Sequence, residues 1–118
     1  MKKKVLVVDD DTSLLDAMTF MLTVDGYEVA TNKGKRVIEA IHRHHPDIIL
    51  LDVLLSGGDG RKICKEIKEK KNLQSLPIIL LSAHPSAGKT YKEYGADAFM
   101  AKPFDNKDLL TLIDSLTN

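Results

Sequence analysis

Residues 48–52 read Ile48-Ile49-Leu50-Leu51-Asp52: four large apolar residues without polar alternation, closed by a carboxylate. A strand of this kind is covered on both faces, as in a parallel sheet flanked by helices. The same pattern recurs on either side of it. Val5-Leu6-Val7-Val8 runs into Asp9-Asp10, and Ile78-Ile79-Leu80-Leu81 into Ser82. Ala98-Phe99-Met100 comes just before Lys102, and Tyr27 to Thr31, around Val29, reads as a shorter strand at an edge. Helical spacing fills the intervals. Leu14, Leu15, Met18, Met21 and Leu22 follow an N-cap at Asp11 or Thr12, and Asp25-Gly26 ends that helix. Val37, Ile38 and Ile41 precede a stop at Pro46, and Ile63, Cys64 and Ile67 follow the turn Ser56-Gly57-Gly58-Asp59-Gly60. A weaker fourth helix falls between Ser86 and Tyr94, and Leu109, Leu110, Ile113 and Leu116 follow an Asp105 cap. Alternating strands and helices predict an α/β fold with a doubly wound, five-stranded parallel sheet and five helices, in one domain spanning residues 1–118.

Bulk composition narrows the function. Lys+Arg and Asp+Glu are balanced at 17 each, so no global basic field points to nucleic acid. Hydrophobic residues at 43% and charged residues at 29% suit a soluble globular domain. The single cysteine, Cys64, excludes an internal disulfide and fits a reducing cytoplasm. Met1-Lys2-Lys3-Lys4 carries the charge of a signal segment, but the apolar run from Val5 to Val8 is too short to serve as one. No run approaches the roughly 18–20 apolar residues of a membrane span.

Strand ends carry the chemistry. In an open parallel sheet the C-terminal ends of the strands share one edge, where ligands bind. Asp9, Asp10, Asp52, Ser82 and Lys102 are therefore expected to converge from distant positions. Three carboxylates in a partly desolvated pocket repel one another. A divalent cation relieves that repulsion, and Mg²⁺ (or Mn²⁺) favours a few carboxylates together with phosphate oxygens. Lys102 supplies a second positive group and Ser82 a hydroxyl donor, both suited to phosphoryl oxygens. Such a set holds a metaphosphate-like group in transfer, where positioning and electrostatics dominate. No histidine or cysteine occupies a strand end, so the nucleophile is a carboxylate. Asp52, alone at the end of a central strand, is the best candidate, with Asp9 and Asp10 as metal ligands.

Val7-Val8-Asp9-Asp10, Leu50-Leu51-Asp52, Asp59-Gly60, Leu81-Ser82-Ala83, Gly95-Ala96-Asp97 and Lys102-Pro103-Phe104 together resemble the receiver domain of bacterial two-component response regulators. Any one of these motifs is weak, but six in register along essentially the whole chain are strong. The resemblance implies a flavodoxin-like fold with strand order 2-1-3-4-5, an order given for a chemotaxis receiver. It implies that Asp52 is the phosphoacceptor, and that Asp10, Asp52 and the Leu54 backbone carbonyl contact Mg²⁺ with Asp9 as their acidic partner. Ser82 is then the hydroxyl that turns toward the phosphoryl group, Phe99 the aromatic switch that follows it inward, and Lys102 the ion-pairing lysine before a cis bond to Pro103. Phe99 lacks a hydroxyl, so its switching would be a packing preference alone. The implied phosphodonor is a sensor histidine kinase or a histidine phosphotransfer protein. The implied output is a downstream protein met by the face of helix 4, strand 5 and helix 5. The domain would be a monomer or a phosphorylation-dependent dimer. It would be cytoplasmic, with no membrane or nucleic-acid partner, and would catalyse only its own phosphorylation and dephosphorylation. With no output segment after Asn118, its signal is expected to pass through protein contacts, unless the domain serves as a phosphate sink.

The chain departs from the family pattern in two places. Ser56 and Gly58 stand where Pro and Met are usual, and Gly57-Gly58 raises the backbone entropy of that loop. The segment from His84 to Tyr94 is about two residues short, roughly half a helical turn. With Pro85 and Gly88 inside it, a short or irregular fourth helix is expected. Leu54 and His84 fall where the family varies its dephosphorylation rate: one can shield an acyl phosphate from water, the other orient a water.

Two rival functions stand beside this one. Asp9, Asp11 and Ser13 loosely echo the motif of aspartate-nucleophile phosphohydrolases of the haloacid dehalogenase type, which would use Asp9 and leave Asp52 without a role. A receiver-like interaction module that is never phosphorylated is the other. His42, His44 and His45 read as solvated cations at a helix end. Lys62, Lys65, Lys68, Lys70 and Lys71, interleaved with Glu66 and Glu69, read as a solvated face, and Cys64 as a packing residue.

Overall fold

The computed structural model describes residues 2–84 and 86–118. Strands β1 (Lys4–Val8), β2 (Glu28–Asn32), β3 (Ile48–Asp52), β4 (Ile78–Ser82) and β5 (Ala98–Ala101) form one parallel sheet in the order β2-β1-β3-β4-β5. Helices α1 (Thr12–Val24), α2 (Val37–His44), α3 (Gly60–Glu69), α4 (Ala87–Thr90) and α5 (Asn106–Thr117) alternate with the strands. This is the five-stranded, five-helix, flavodoxin-like arrangement expected from the sequence.

Alternation of the apolar side chains, invisible as polarity, sorts them between two cores. Leu6, Val8, Ile49, Leu51, Ile78 and Leu80 pack with Val37 and Ile41 of α2, Cys64 and Ile67 of α3, and Ala87 of α4. Val5, Val7, Ile48, Leu50, Ile79 and Leu81 pack on the other face with Leu15, Met18 and Leu22 of α1 and Leu109 and Ile113 of α5. Every residue of β3 and β4 is buried, because each strand has a neighbour on both sides and helices on both faces. Fully burying a side chain such as Ile49 stabilises the fold by about 1.5–3 kcal/mol. Burial of the Cys64 thiol pushes its pKa up to about 11, in keeping with packing rather than redox chemistry.

The caps expected at Asp11 and Asp105 form, and Asp59, read only as part of a turn, provides another. Asp11, Asp59 and Asp105 each accept a backbone N–H from the first turn of α1, α3 and α5. The Lys102–Pro103 bond is cis, as expected. No helix among the described residues is long and apolar enough to cross a membrane.

Three readings need correction. Ala98-Phe99-Met100 looked like a buried strand, yet β5, like the expected edge strand β2, is only partly buried, because each lies at a sheet edge with a single neighbour. The turn after β3, read as a glycine-rich turn alone, closes a small antiparallel ladder of Leu54–Leu55 against Gly58–Asp59. Lys68 is not on a solvated face. Its ammonium donates to the carbonyls of Gln74 and Leu76 at 3.1 and 2.7 Å and pairs with Asp97 at 2.9 Å. Asp97 in turn accepts the Ile78 N–H at 2.8 Å, so this pair ties α3 to the start of β4. The fourth helix is short, one α turn continued by a 3-10 turn over Tyr91–Tyr94, while Pro85 lies outside the described residues.

Candidate functional site

Parallel register brings the strand ends into one row. Val8 pairs with Leu51, Asp52 with Leu81, and Ser82 with Ala101. Asp9 therefore follows β1 beside Asp52, the last residue of β3, and Ser82 closes β4 next to it. All three are buried, at 2%, 6% and 1% exposure. Lys102 follows β5, with its N–H donating to the Ser82 carbonyl at 2.9 Å. Its ammonium reaches inward to Asp9 Oδ2 and Asp52 Oδ1, both at 3.0 Å. The five polar groups expected at this edge are brought together there.

Oxygens of Asp9, Asp10 and Asp52 all lie within 4.8 Å of one another. Among the described residues this is the group of acidic, histidine or cysteine side chains with a spacing that fits a metal ion. Hard carboxylate oxygens, two of them on buried residues, fit a small divalent cation such as Mg²⁺. Among the described residues, His42, His44 and His45 at the end of α2 form no such group.

The electrostatics differ from one carboxylate to the next. Burial raises the Asp52 pKa, and the nearby charges of Asp9 and Asp10 add to that, against the opposing pull of Lys102. Lys102 also loses solvation, but its hydrogen bonds to Asp9 and Asp52 outweigh that loss and raise its pKa, so the ammonium stays charged. Asp10 sits nearer solvent. Its carboxyl pKa is lowered, chiefly by the backbone N–H of Ser56, 46 residues away, which donates to Oδ2 at 2.5 Å. Asp9 Oδ1 accepts the Asp11 N–H at 2.9 Å. Both Asp9 oxygens are thus engaged, one by Asp11 and one by Lys102.

Backbone contacts hold Asp52 in place. The Val53 N–H donates to the Leu81 carbonyl at 2.9 Å, and the Gly60 N–H to the Val53 carbonyl at 2.8 Å. A Cβ at residue 60 would overlap the Asp52 carbonyl oxygen, so Asp59-Gly60 needs glycine for this close approach. Leu54, 62% exposed, lines a small pocket with Arg61 and His84, between the loops that follow β3 and β4.

Ser82 Oγ accepts the His84 N–H at 2.9 Å. Phe99 is half-buried in β5, its ring stacked on Tyr91 with centroids 6.3 Å apart. Beside the pocket a groove of about 540 Å³ runs between α1 and residues 102–106, with apolar walls from Leu14, Met18, Met21 and Phe104.

The role of Ser56 was missed in the sequence because its contact is made by a backbone N–H, which every residue but proline carries. Lys68 was missed because its partner, Asp97, is 29 residues away. The Gly95-Ala96-Asp97 motif was a usable signal, since it marks Asp97 without naming what it binds.

The family model for the response regulator receiver domain matches residues 5–114. The fold is also that of several solved structures. A protein assigned as a response regulator in Chloroflexus aurantiacus superposes with a TM-score of 0.92 at 31% identity, covering 99% of this chain and 98% of that one. The chemotaxis protein CheY4 of Vibrio cholerae gives 0.89 at 26% identity, over 98% of this chain and 99% of that one. The signal receiver domain of a histidine kinase from Syntrophus aciditrophicus gives 0.88 at 27% identity, over 98% and 89%.

Proposed function

The chain belongs to the response regulator receiver domain family, and from that membership we propose that Asp52 accepts a phosphoryl group and thereby switches a protein-binding face. Receiver domains are signalling modules of two-component systems rather than conventional enzymes. The observation that carries the reading is the position of Asp52. One of its oxygens is 3.0 Å from the Lys102 ammonium, and the residue belongs to the three-carboxylate group suited to a divalent cation.

The residues divide the work. A carboxylate oxygen of Asp52 bonds to phosphorus as the bond from phosphorus to the donor imidazole nitrogen breaks. The imidazole leaves with that electron pair and takes up a proton. Mg²⁺ held by Asp9, Asp10, Asp52 and the Leu54 carbonyl would supply positive charge at the phosphoryl oxygens. Lys102 neutralises a further oxygen without changing protonation state, since its ammonium is held charged. Burial of Asp52 excludes bulk water from the acyl phosphate. Ser82 then exchanges the His84 N–H for a phosphoryl oxygen, and Phe99 repacks against the face of α4, β5 and α5. A histidine kinase or phosphotransfer protein approaching Asp52 would cover the apolar groove between α1 and Phe104.

The phosphohydrolase reading is disfavoured because it leaves Asp52, buried at the end of β3 and 3.0 Å from the Lys102 ammonium, without a role. Intact-mass spectrometry after incubation with Mg²⁺ and acetyl phosphate tests the proposal. A single phosphoryl adduct on the wild type, absent from Asp52→Ala, is expected. An adduct that survives this substitution, or none on the wild type, would overturn it.

A further inference from the structure

Helix α4 is a single turn, and its second residue, Gly88, lies beside the Cδ2–Cε2 side of the aromatic ring of β5. A methyl group at Gly88 would stand 3.0 Å from Phe99 Cε2 and 3.2 Å from Cδ2, closer than such contacts ordinarily come. Tyr91 flanks the same ring, its plane inclined by 22°. The ring therefore meets bare backbone on one side and an aromatic neighbour on another. Ala87, 1% exposed, anchors the turn to the core.

The same turn hangs from the loop of the phosphoryl pocket. Ser82 Oγ accepts the His84 N–H at 2.9 Å, and the His84 carbonyl accepts the Ala87 N–H at 3.2 Å. Gly88 is the next residue. Two hydrogen bonds and one peptide bond thus separate the Ser82 hydroxyl from the contact with Phe99.

We propose that the backbone of Gly88 is a seat for the Phe99 ring, and that departure of the Ser82 hydroxyl from His84 reaches the output face as a shift of this seat across the ring. The inference rests on the reading of Asp52 as a phosphoacceptor. Its physical basis is that close-packed contacts do not compress but move between discrete arrangements. A glycine presents no side chain to interlock with the ring, so the turn can slide over it. A methyl group would either prop α4 away from the ring or displace the ring toward Tyr91. Both would uncouple the turn from the pocket without touching the carboxylates.

Hydrogen exchange over residues 86–94, with and without Mg²⁺ and acetyl phosphate, tests this in the whole chain. In the wild type, phosphorylation should change exchange in this segment by about threefold or more. Gly88→Ala should take up the phosphoryl group to the wild-type extent, by intact mass, and lose that exchange response. Adding Phe99→Leu to it, which shortens the side chain facing the new methyl, should restore the response. A full response in Gly88→Ala, or no restoration in the double variant, would overturn the seat. If the wild type takes no phosphoryl group, the phosphoacceptor reading falls by itself. The seat is then judged by the aromatic NMR resonances of Phe99 in the unmodified protein, which Gly88→Ala must move and which, if unmoved, overturn it.

Discussion

The pocket at the ends of β1, β3 and β4 and the segment from Ser86 to Tyr94 are joined through one short loop, yet they are held in different ways. Asp9, Asp52 and Ser82 terminate or follow strands whose every central residue is buried, and Lys102 bridges two of them by ion pairs. The segment after Ser86 has one α turn, one 3-10 turn and a single buried residue, Ala87. The pocket must keep charges within about 3 Å of their partners to be of use. The segment must have more than one arrangement of similar energy to signal at all. On the proposed function, a rigid pocket serves the transfer and a loosely packed segment serves the output, and both follow from how much apolar surface each region buries.

Substitutions can break this contrast in order of effect. Lys102→Ala removes the positive charge between Asp9 and Asp52 and should slow phosphorylation from acetyl phosphate by about 10²–10³-fold, as loss of one electrostatic stabiliser commonly does. Quenched mass spectrometry gives the rate, and a change of less than tenfold would place the ion pair outside the transfer step. Ile49→Ala in the rigid layer should cost about 3–4 kcal/mol in urea unfolding. Tyr91→Ala, at the half-buried stack over Phe99, should cost only about 1 kcal/mol. Equal costs would remove the contrast between the two regions.

Asp52→Asn gives the smallest shift and the most telling sign. Burial raises the Asp52 pKa in the fold, so the fold favours the protonated form. The stability contributed by that group is present below the ordinary carboxylate range and is lost as pH rises through the folded pKa. At neutral pH the ionised side chain is therefore a cost, and Asp52→Asn should raise the melting temperature by a few degrees. Differential scanning calorimetry from pH 3 to 8 should show the two proteins converging as pH falls. A lower melting temperature for the variant at pH 7 would mean that the Lys102 pair outweighs burial.

Legibility in the sequence followed burial. Ile48 to Leu51 and Ile78 to Leu81 could be read as central strands because a doubly covered strand leaves no room for polar residues. Their ends marked the pocket because register in a parallel sheet aligns residues that follow equal apolar runs. The Tyr27–Thr31 strand was read as an edge and β2 is one, whereas β5 was read as a strand but not as an edge, since partial exposure leaves no distinctive pattern in four residues. Lys68 looked like one lysine among several on α3, and its burial depends on where β4 and Asp97 come to lie.

Residue order alone thus determined the βαβ alternation, the caps at Asp11 and Asp105, and the identity of the five polar groups at the strand ends. Each is a local matter of apolar periodicity or of a short side chain reaching its own helix. Packing decided the rest: the Ser56 N–H on Asp10, the raised pKa of Asp52 and the contact of Gly88 with the Phe99 ring. These depend on distances between residues far apart in the chain, which exist only once both cores have closed on the sheet.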